Sequence, residues 1–232
     1  MDGQEMSNSR AIVIGATGGI GAAIASALSA REGIEVVELS RANGLDLTDE
    51  ATIEAAARRC AEAESPVSLV FDATGVLHGE GFMPERSWRS LDPEHMAWSY
   101  AINAIGPALL MKHFLPLLPR KGRSVFATLS ARVGSIEDNR LGGWHSYRAA
   151  KAALNQFVRS NAIELARKAP EAICVALHPG TVESDLSEPF AKSGLNVRPP
   201  REAAADLLGV IDGLRAADSG QLFDYKGERI AF

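Results

Sequence analysis

Tyr147 and Lys151 stand four residues apart in the stretch His145-Ser-Tyr-Arg-Ala-Ala-Lys-Ala152. On a helix, residues at i and i+4 share a face, so this spacing would hold a phenol beside an ammonium. Such a pair is a device for ionising a tyrosine. The phenol's ordinary pKa is about 10, and a cation about 4 Å away at an effective dielectric of about 20 contributes roughly 4 kcal/mol before screening. Proton transfer near neutrality then becomes feasible. The same spacing also occurs on plain solvated helix faces, so the rest of the chain has to supply something for the pair to face.

Three other groups point to a bound phosphate-bearing cofactor. The apolar run Ala11 to Ile14 turns into Gly15-Ala-Thr-Gly-Gly-Ile-Gly21 and then into an alanine-rich helical stretch, Ala22 to Arg31. Strand, glycine loop, helix is the order that aims helix N–H groups at an anion. In it, Gly15 permits the turn, Gly19 lets backbone approach a pyrophosphate, and Gly21 allows close helix-on-strand packing; Thr17, Gly18 and Ile20 complete the loop. A structural turn is the competing reading, because the spacing is not the commoner G-x-G-x-x-G. The second apolar run, Ile34 to Leu39, reads as a buried parallel strand tipped by Ser40-Arg41. An arginine at that tip suits a ribose 2′-phosphate, where an acidic residue would suit the free hydroxyl, so NADP(H) is expected over NAD(H). Glu38 could point at the same ribose, and Arg41 could be a surface charge. Asp46, followed by Leu47, is placed either to accept from an adenine amino group or to cap a helix over Thr48 to Glu64. Val67 to Phe71 is a third strand, ending in Asp72-Ala73-Thr74-Gly75, whose small residues leave room for a cofactor.

Further along, Asp92 is expected to cap a helix beginning at Pro93, running through Asn103 toward Pro116 and loosened near Gly106-Pro107. Asn103 reads as a satisfied structural amide in an apolar stretch. Ser130 follows the strand Ser124 to Leu129, at the edge where parallel sheets bind ligands, with Ser135 as its competitor. Ile173 to Leu177 is another strand, leading into Pro179-Gly180-Thr-Val182-Glu-Ser184; Arg201 to Leu214 is an amphipathic helix, and Gln221 to Asp224 a last short strand.

At 232 residues, with 46% hydrophobic and 23% charged residues, one domain with one sizeable core is expected. A net charge of −5 argues against nucleic acid as main partner, so the partner is a small molecule. Cys60 and Cys174 lie far apart with no metal-ligand spacing, which reads as buried thiols in a reducing compartment and no metal site. Residues 1–9 read as a loosely ordered polar tail, and no run of about 18 apolar residues occurs. A cytoplasmic protein without membrane association is the expectation.

Together these residues resemble the short-chain dehydrogenase/reductase family in its single-domain form. Gly15-Ala-Thr-Gly-Gly-Ile-Gly21, Asp72-Ala-Thr-Gly75, Asn103-Ala-Ile-Gly-Pro107, Ser130, Tyr147-Arg-Ala-Ala-Lys151 and Pro179-Gly-Thr-Val-Glu-Ser184 occur in the family's order and approximate spacing. Within the family the chain is similar to the C-factor-like branch and to small carbonyl reductases of the sniffer type. The resemblance implies an α/β Rossmann-type, doubly wound sheet of about seven parallel strands between helical layers, spanning 10–232, with a short substrate lid around 185–200. It implies interconversion of a ketone or aldehyde with an alcohol, or, in the C-factor manner, a nucleotide-binding regulatory protein with little turnover. Tyr147 would be the general acid, Lys151 would bind the nicotinamide ribose and depress the tyrosine pKa, Ser130 would polarise the carbonyl, and Asn103 would hold a relay water. Val182 and Ser184 would contact the carboxamide. Asp72 and Ala73 stand where the family has asparagines, so the turn is expected to lose amide hydrogen bonds. Leu77, His78, Trp144 and His145 are expected around the substrate. A homodimer or homotetramer is implied through the helices of Asn103 and Tyr147, with Leu109, Leu110, Leu154 and Phe157 in the interface or in the core.

Overall fold

The computed structural model of the protein describes residues 9–183 and 197–232. Seven strands form one sheet: β1 (Ser9–Ile14), β2 (Ile34–Leu39), β3 (Val67–Asp72), β4 (Ser124–Leu129), β5 (Ala172–His178), β6 (Leu222–Asp224) and β7 (Arg229–Ile230), in the order β2-β1-β3-β4-β5-β6-β7. The first six are parallel; β7 runs antiparallel to β6, pairing Leu222 with Ile230. The all-parallel expectation is therefore corrected at that edge, where the turn at Gly227 (φ 81°) folds the chain back as a hairpin. Ser9, counted with the tail from sequence, is the first residue of β1 and pairs with Ile34. Expecting β2 to be buried on both faces also fails: it is an edge strand, with Glu35 and Glu38 exposed and four of its apolar residues only partly covered or buried.

Helices α1 (Gly19–Ser29), α2 (Glu50–Ala61), α3 (Pro93–Tyr100), α4 (Gly106–Phe114), α5 (His145–Ala166) and α6 (Pro200–Gly213) cover both faces. Strand alternation divides the core between them. Ile12, Ile14, Val70, Phe126 and Cys174 pack under the α2, α4 and α5 side, together with Leu110, Phe114, Leu154 and Val158. Ala11, Val13, Phe71, Val125 and Val175 pack under α1 and α6, with Ile24, Leu28, Leu207 and Ile211. Leu110 and Leu154, candidates for a subunit interface, are thus core residues, while Phe157 is exposed.

Local caps set the helix boundaries. Asp92 accepts from the Glu94 and His95 N–H groups ahead of Pro93, as its position predicted. For α2 the cap is Asp49, whose side chain accepts from Ala51 N–H, so Asp46 is not the cap. At the other end of α2, the buried Arg10 guanidinium donates to the carbonyls of Cys60, Ala63 and Ser65, where C-terminal helix carbonyls attract a cation. Between α3 and α4 lies a π-helical turn, Ala101–Ile105, in which Gly106 N–H reaches back to the Ala101 carbonyl. Pro107 has no N–H to continue the α pattern, and the ladder widens there.

Candidate active site

Strand order reverses between β1 and β3, because β2 lies to one side of β1 and β3 to the other. In open parallel sheets the crevice at the strands' C-terminal ends beside such a reversal is where a ligand fits. Two loops meet in it. A Cβ on Gly15 (φ 81°) would lie 3.2 Å from the Ala73 carbonyl carbon and from Thr74 Cγ2, so the glycine loop rests on the turn after β3. A Cβ on Gly21 would overlap the Gly15 carbonyl oxygen; only glycine lets α1 start this close to β1. Thr17, Gly18 and Gly19 are exposed at the start of α1, and Ile20 is partly covered. The Gly18 residue before the helix has no side-chain cap, leaving the first-turn N–H groups facing the crevice.

The helix α5 carries Tyr147, Lys151 and Asn155 at successive four-residue steps. Lys151 is 2% exposed, and its Nζ donates to the Leu129 carbonyl at 2.9 Å. Nζ lies 5.8 Å from the Tyr147 ring centroid, so the two do share a face, but the ammonium is anchored on the end of β4. Burial pulls Lys151 down to about 8, opposed by the charge of Asp72. Burial pushes the Tyr147 phenol up. Burial thus works against the ionisation of Tyr147 that the spacing predicts, and the charge of Lys151 works for it.

Ser130 directly follows β4: its N–H donates to the Leu177 carbonyl, and its Oγ donates to Asn155 Oδ1 at 2.7 Å. Asn155 in turn donates to the Gly134 carbonyl at 3.3 Å. The competitor Ser135 has its Oγ accepting from Asp138 N–H, in the turn after Gly134. Ser130 is the serine at the strand edge, and Asn155 is a partner that nothing in the sequence singled out.

Asn103 is fully buried, and its amide pairs with both backbone groups of Val76: Oδ1 accepts from Val76 N–H at 3.0 Å and Nδ2 donates to the Val76 carbonyl at 2.8 Å, with a further 3.3 Å bond to Ser99 Oγ. The structural reading of that side chain holds. Its placement is still at the site, because a Cβ on Gly75 (φ 152°) would lie 3.1 Å from Asn103 Oδ1 and 3.3 Å from Lys151 Nζ. Gly75 thus marks the point where the β3 turn, the π turn and α5 converge.

The turn after β3 has no side-chain amide, and a carboxylate makes its hydrogen bonds instead. Asp72 Oδ1 accepts from Thr74 N–H (3.0 Å) and Thr74 Oγ (2.5 Å), and Oδ2 accepts from Thr128 Oγ on β4 (2.6 Å). An equally unforeseen residue holds the start of α5. Glu85 is 3% exposed; its carboxylate accepts from Ser146 N–H and Ser146 Oγ, and lies 3.3 Å from His95 Nδ1 on α3. The Ser146 and backbone hydrogen bonds together with the nearby His95 outweigh burial and hold Glu85 below the usual carboxylate range. Its own carbonyl accepts from Trp144 N–H. Trp144 sits at φ 50°, a strained value for a side chain of that size, and its ring meets Tyr147 edge-on with centroids 6.4 Å apart.

Around the crevice, Ser40 is buried and Arg41 exposed, just past the end of β2. Ser40 N–H donates to Asn43 Oδ1, and Asn43 Nδ2 donates to the Glu38 carbonyl. Glu38 pairs with Val13, one residue below the rim, with its side chain exposed; Arg41 lies beyond the rim. Asp46 accepts from Thr48 N–H and Oγ, which together hold it below its ordinary pKa. Leu47 packs on Gly106, where a Cβ would collide with it. After β5, Pro179 and Gly180 lead to Val182, which forms a β-bridge with Arg198. Arg198 stacks 4.4 Å over the Tyr225 ring and pairs with Asp206. Glu183 O and Pro200 lie 3.4 Å from where a Gly19 Cβ would be, so the bridge sits beside the glycine loop. Ser184 and most of the expected lid lie outside the described residues. His178 has a buried Nδ1, and its pKa is drawn down to about 4 by burial and Arg132.

Known proteins resemble this chain in sequence and in fold. A family model described as Enoyl-(Acyl carrier protein) reductase matches residues 15–199. The chain is 38% identical to C-signal of Myxococcus xanthus over 141 residues, covering 60% of this chain and 80% of that protein. It is 33% identical over 178 residues to 1-hydroxy-2-glutathionyl-2-methyl-3-butene dehydrogenase of Rhodococcus sp., 77% of this chain and 74% of that one. Its fold superposes on the NADPH-bound carbonyl reductase from chicken fatty liver with a TM-score of 0.80 and 25% identity, covering 97% and 99% of the two chains. With Sniffer of D. melanogaster the TM-score is 0.79 at 21% identity, over 97% and 99%. On the sheet, the crevice and these matches, the chain belongs to the short-chain dehydrogenase/reductase family of oxidoreductases.

Proposed function

We propose that the protein is an NADP(H)-dependent oxidoreductase that interconverts a ketone or aldehyde with an alcohol. The observation that carries this reading is the convergence of Tyr147, Lys151, Ser130 and Gly75 at the strand edge beside an uncapped glycine-loop helix. A superposable carbonyl reductase binds NADPH, and a 33% identical relative is named as a dehydrogenase.

The residues fit such a cofactor: Gly15 to Gly21 leave backbone open to a pyrophosphate, and Gly75 leaves space beside Lys151. Arg41 would hold the 2′-phosphate, Asp46 and Leu47 the adenine end, Ala73, Thr74 and Gly75 the second ribose's wall, and Pro179, Gly180, Val182 and Ser184 the nicotinamide end. When bound, NADPH supplies the hydride for the carbonyl carbon. Tyr147 gives its phenolic proton to the carbonyl oxygen. Ser130 turns its hydroxyl from Asn155 to that oxygen and steadies the developing charge. Lys151 stays on the Leu129 carbonyl and presents its remaining protons to the cofactor ribose. Its charge favours the tyrosinate that each turnover leaves behind. The Asn103 amide, held on Val76, would fix the π turn beside Gly75 and Lys151.

NADPH consumption against a panel of ketones, aldehydes and enoyl thioesters tests the reading. Carbonyl turnover is expected, falling about 100-fold or more in Tyr147→Phe; unchanged turnover in that variant removes Tyr147 from its role. The 38% identity to C-signal supports a second reading, a nucleotide-binding regulatory protein. Cofactor binding without turnover on any panel member, with cellular function intact in Tyr147→Phe, would favour it.

A further inference from the structure

Two buried ionisable groups are held at one strand end in the interior of this site, and the mechanism above uses only one of them. Asp72 is 0% exposed and Lys151 is 2% exposed. Asp72 bonds Thr128 on β4, and Lys151 bonds the carbonyl of the next residue, Leu129. The carboxylate and the ammonium are therefore docked on adjacent residues of one strand end. Every group hydrogen-bonded to Asp72 is a neutral donor, two threonine hydroxyls and one backbone N–H, and the partner hydrogen-bonded to Lys151 is a neutral carbonyl. A charge taken out of water without a counter-charge is strongly disfavoured, and these two groups of opposite sign act on each other.

We propose that Asp72 is the counter-charge of Lys151, a positioning residue that keeps the ammonium protonated while it is buried beneath the reacting groups. The inference rests on the reading of Lys151 as the residue under the cofactor ribose. Burial raises the Asp72 carboxyl above its ordinary value; the three donors converging on its oxygens and the charge of Lys151 oppose that and favour the ionised form, while the charge of Asp72 in turn favours protonated Lys151. The groups packed around Lys151 are the neutral Asn103, Gly75 and Gly134 and the Tyr147 ring on its own helix. Tyr147 is the second titratable group facing it, and burial raises its phenol. Among the described residues, Asp72 is the one charged group acting on Lys151.

The test is a titration of the ligand-free full-length chain carrying 13C-labelled lysine, with the Lys151 Cε resonance identified by its loss in Lys151→Met. Asp72→Asn removes the charge and keeps the shape: the amide oxygen still accepts from Thr74, and the amide N–H₂ donates to a rotated Thr128 hydroxyl. The wild-type midpoint is expected near 8, and that of Asp72→Asn about one pH unit lower. A purely structural role for Asp72 leaves the midpoint where it was, which overturns the proposal. Should the variant not fold, the wild type still decides through its Asp72 carboxyl carbon: ionised between pH 6 and 9 supports the pairing, and neutral there overturns it. In the loaded enzyme, the alkaline limb of kcat/KM moves down with the same substitution. Because the titration needs neither cofactor nor substrate, its failure leaves the Tyr147→Phe result, and the reading that rests on it, untouched.

Discussion

Arg41 stands beyond the end of β2 with its guanidinium in solvent, while Glu38 is held one residue lower, beside Val13. That difference of level decides which of them a ribose at the rim would meet. We expect Arg41→Ala to weaken NADPH about tenfold, the loss of one solvent-exposed charge-assisted contact, and to leave NADH unchanged, as fluorescence titration of both cofactors would show. Equal loss for both would remove Arg41 from the 2′-phosphate. Residue types and spacing carried much at this scale. Tyr147 and Lys151 are four apart on a real helix, Gly15 has the positive φ a turn demands, and Ser130 leaves a strand end. What one-dimensional spacing could not hold was direction. The Lys151 ammonium turns to Leu129, the Asn103 amide to Val76, and the Ser130 hydroxyl to Asn155, and each of those partners is more than 20 residues away.

Among the elements, α5 depends most on a distant segment. Its N-terminus has no side-chain cap from its own sequence; Glu85, 61 residues earlier, supplies the acceptor, and Phe82 of the same segment stacks on His95 with centroids 4.9 Å apart. Glu85→Ala should cost about 1–2 kcal/mol, the scale of a lost cap, read as a lower denaturation midpoint. Because Ser146 adjoins Tyr147, kcat should fall with it while cofactor affinity holds. Loss of both in equal proportion would mean general damage to the fold. Six of the seven strands are legible as apolar runs, with ends exact or off by one or two residues, and α1, α2 and α6 to within three; α3 and α4 read as one continuous helix, and α5 is marked only by the Tyr147 and Lys151 spacing near its start. Strand β7 is two residues long, too short for any periodicity, and the π turn arises from a missing N–H that sequence marks only as a proline.

On the scale of the whole molecule, the glycine loop, the β3 turn and the serine after β4 fall together because strand order reverses at β1, a topological fact that no single motif states. The outward side of α5 bounds a groove of about 590 Å³ lined by Ile136, Ala149, Ala152, Ala153 and Phe232. Ile136, Leu141 and Phe157 are exposed near it. A homo-oligomer through this side is our expectation, with sedimentation giving a dimer or larger and Phe157→Glu driving it toward monomer; a monomeric wild type refutes it. The bridge between Val182 and Arg198 has a different consequence. Its two stems are fastened to each other, to Tyr225 and Asp206, and to the edge of the glycine loop, so the ends of the intervening stretch are already brought together by the framework. Loop-closure entropy grows only with the logarithm of length, about 0.6 kcal/mol for each doubling. A change in the length of chain between those stems should therefore cost the fold little, leaving the bridge, the glycine loop and the sheet beneath them as they are.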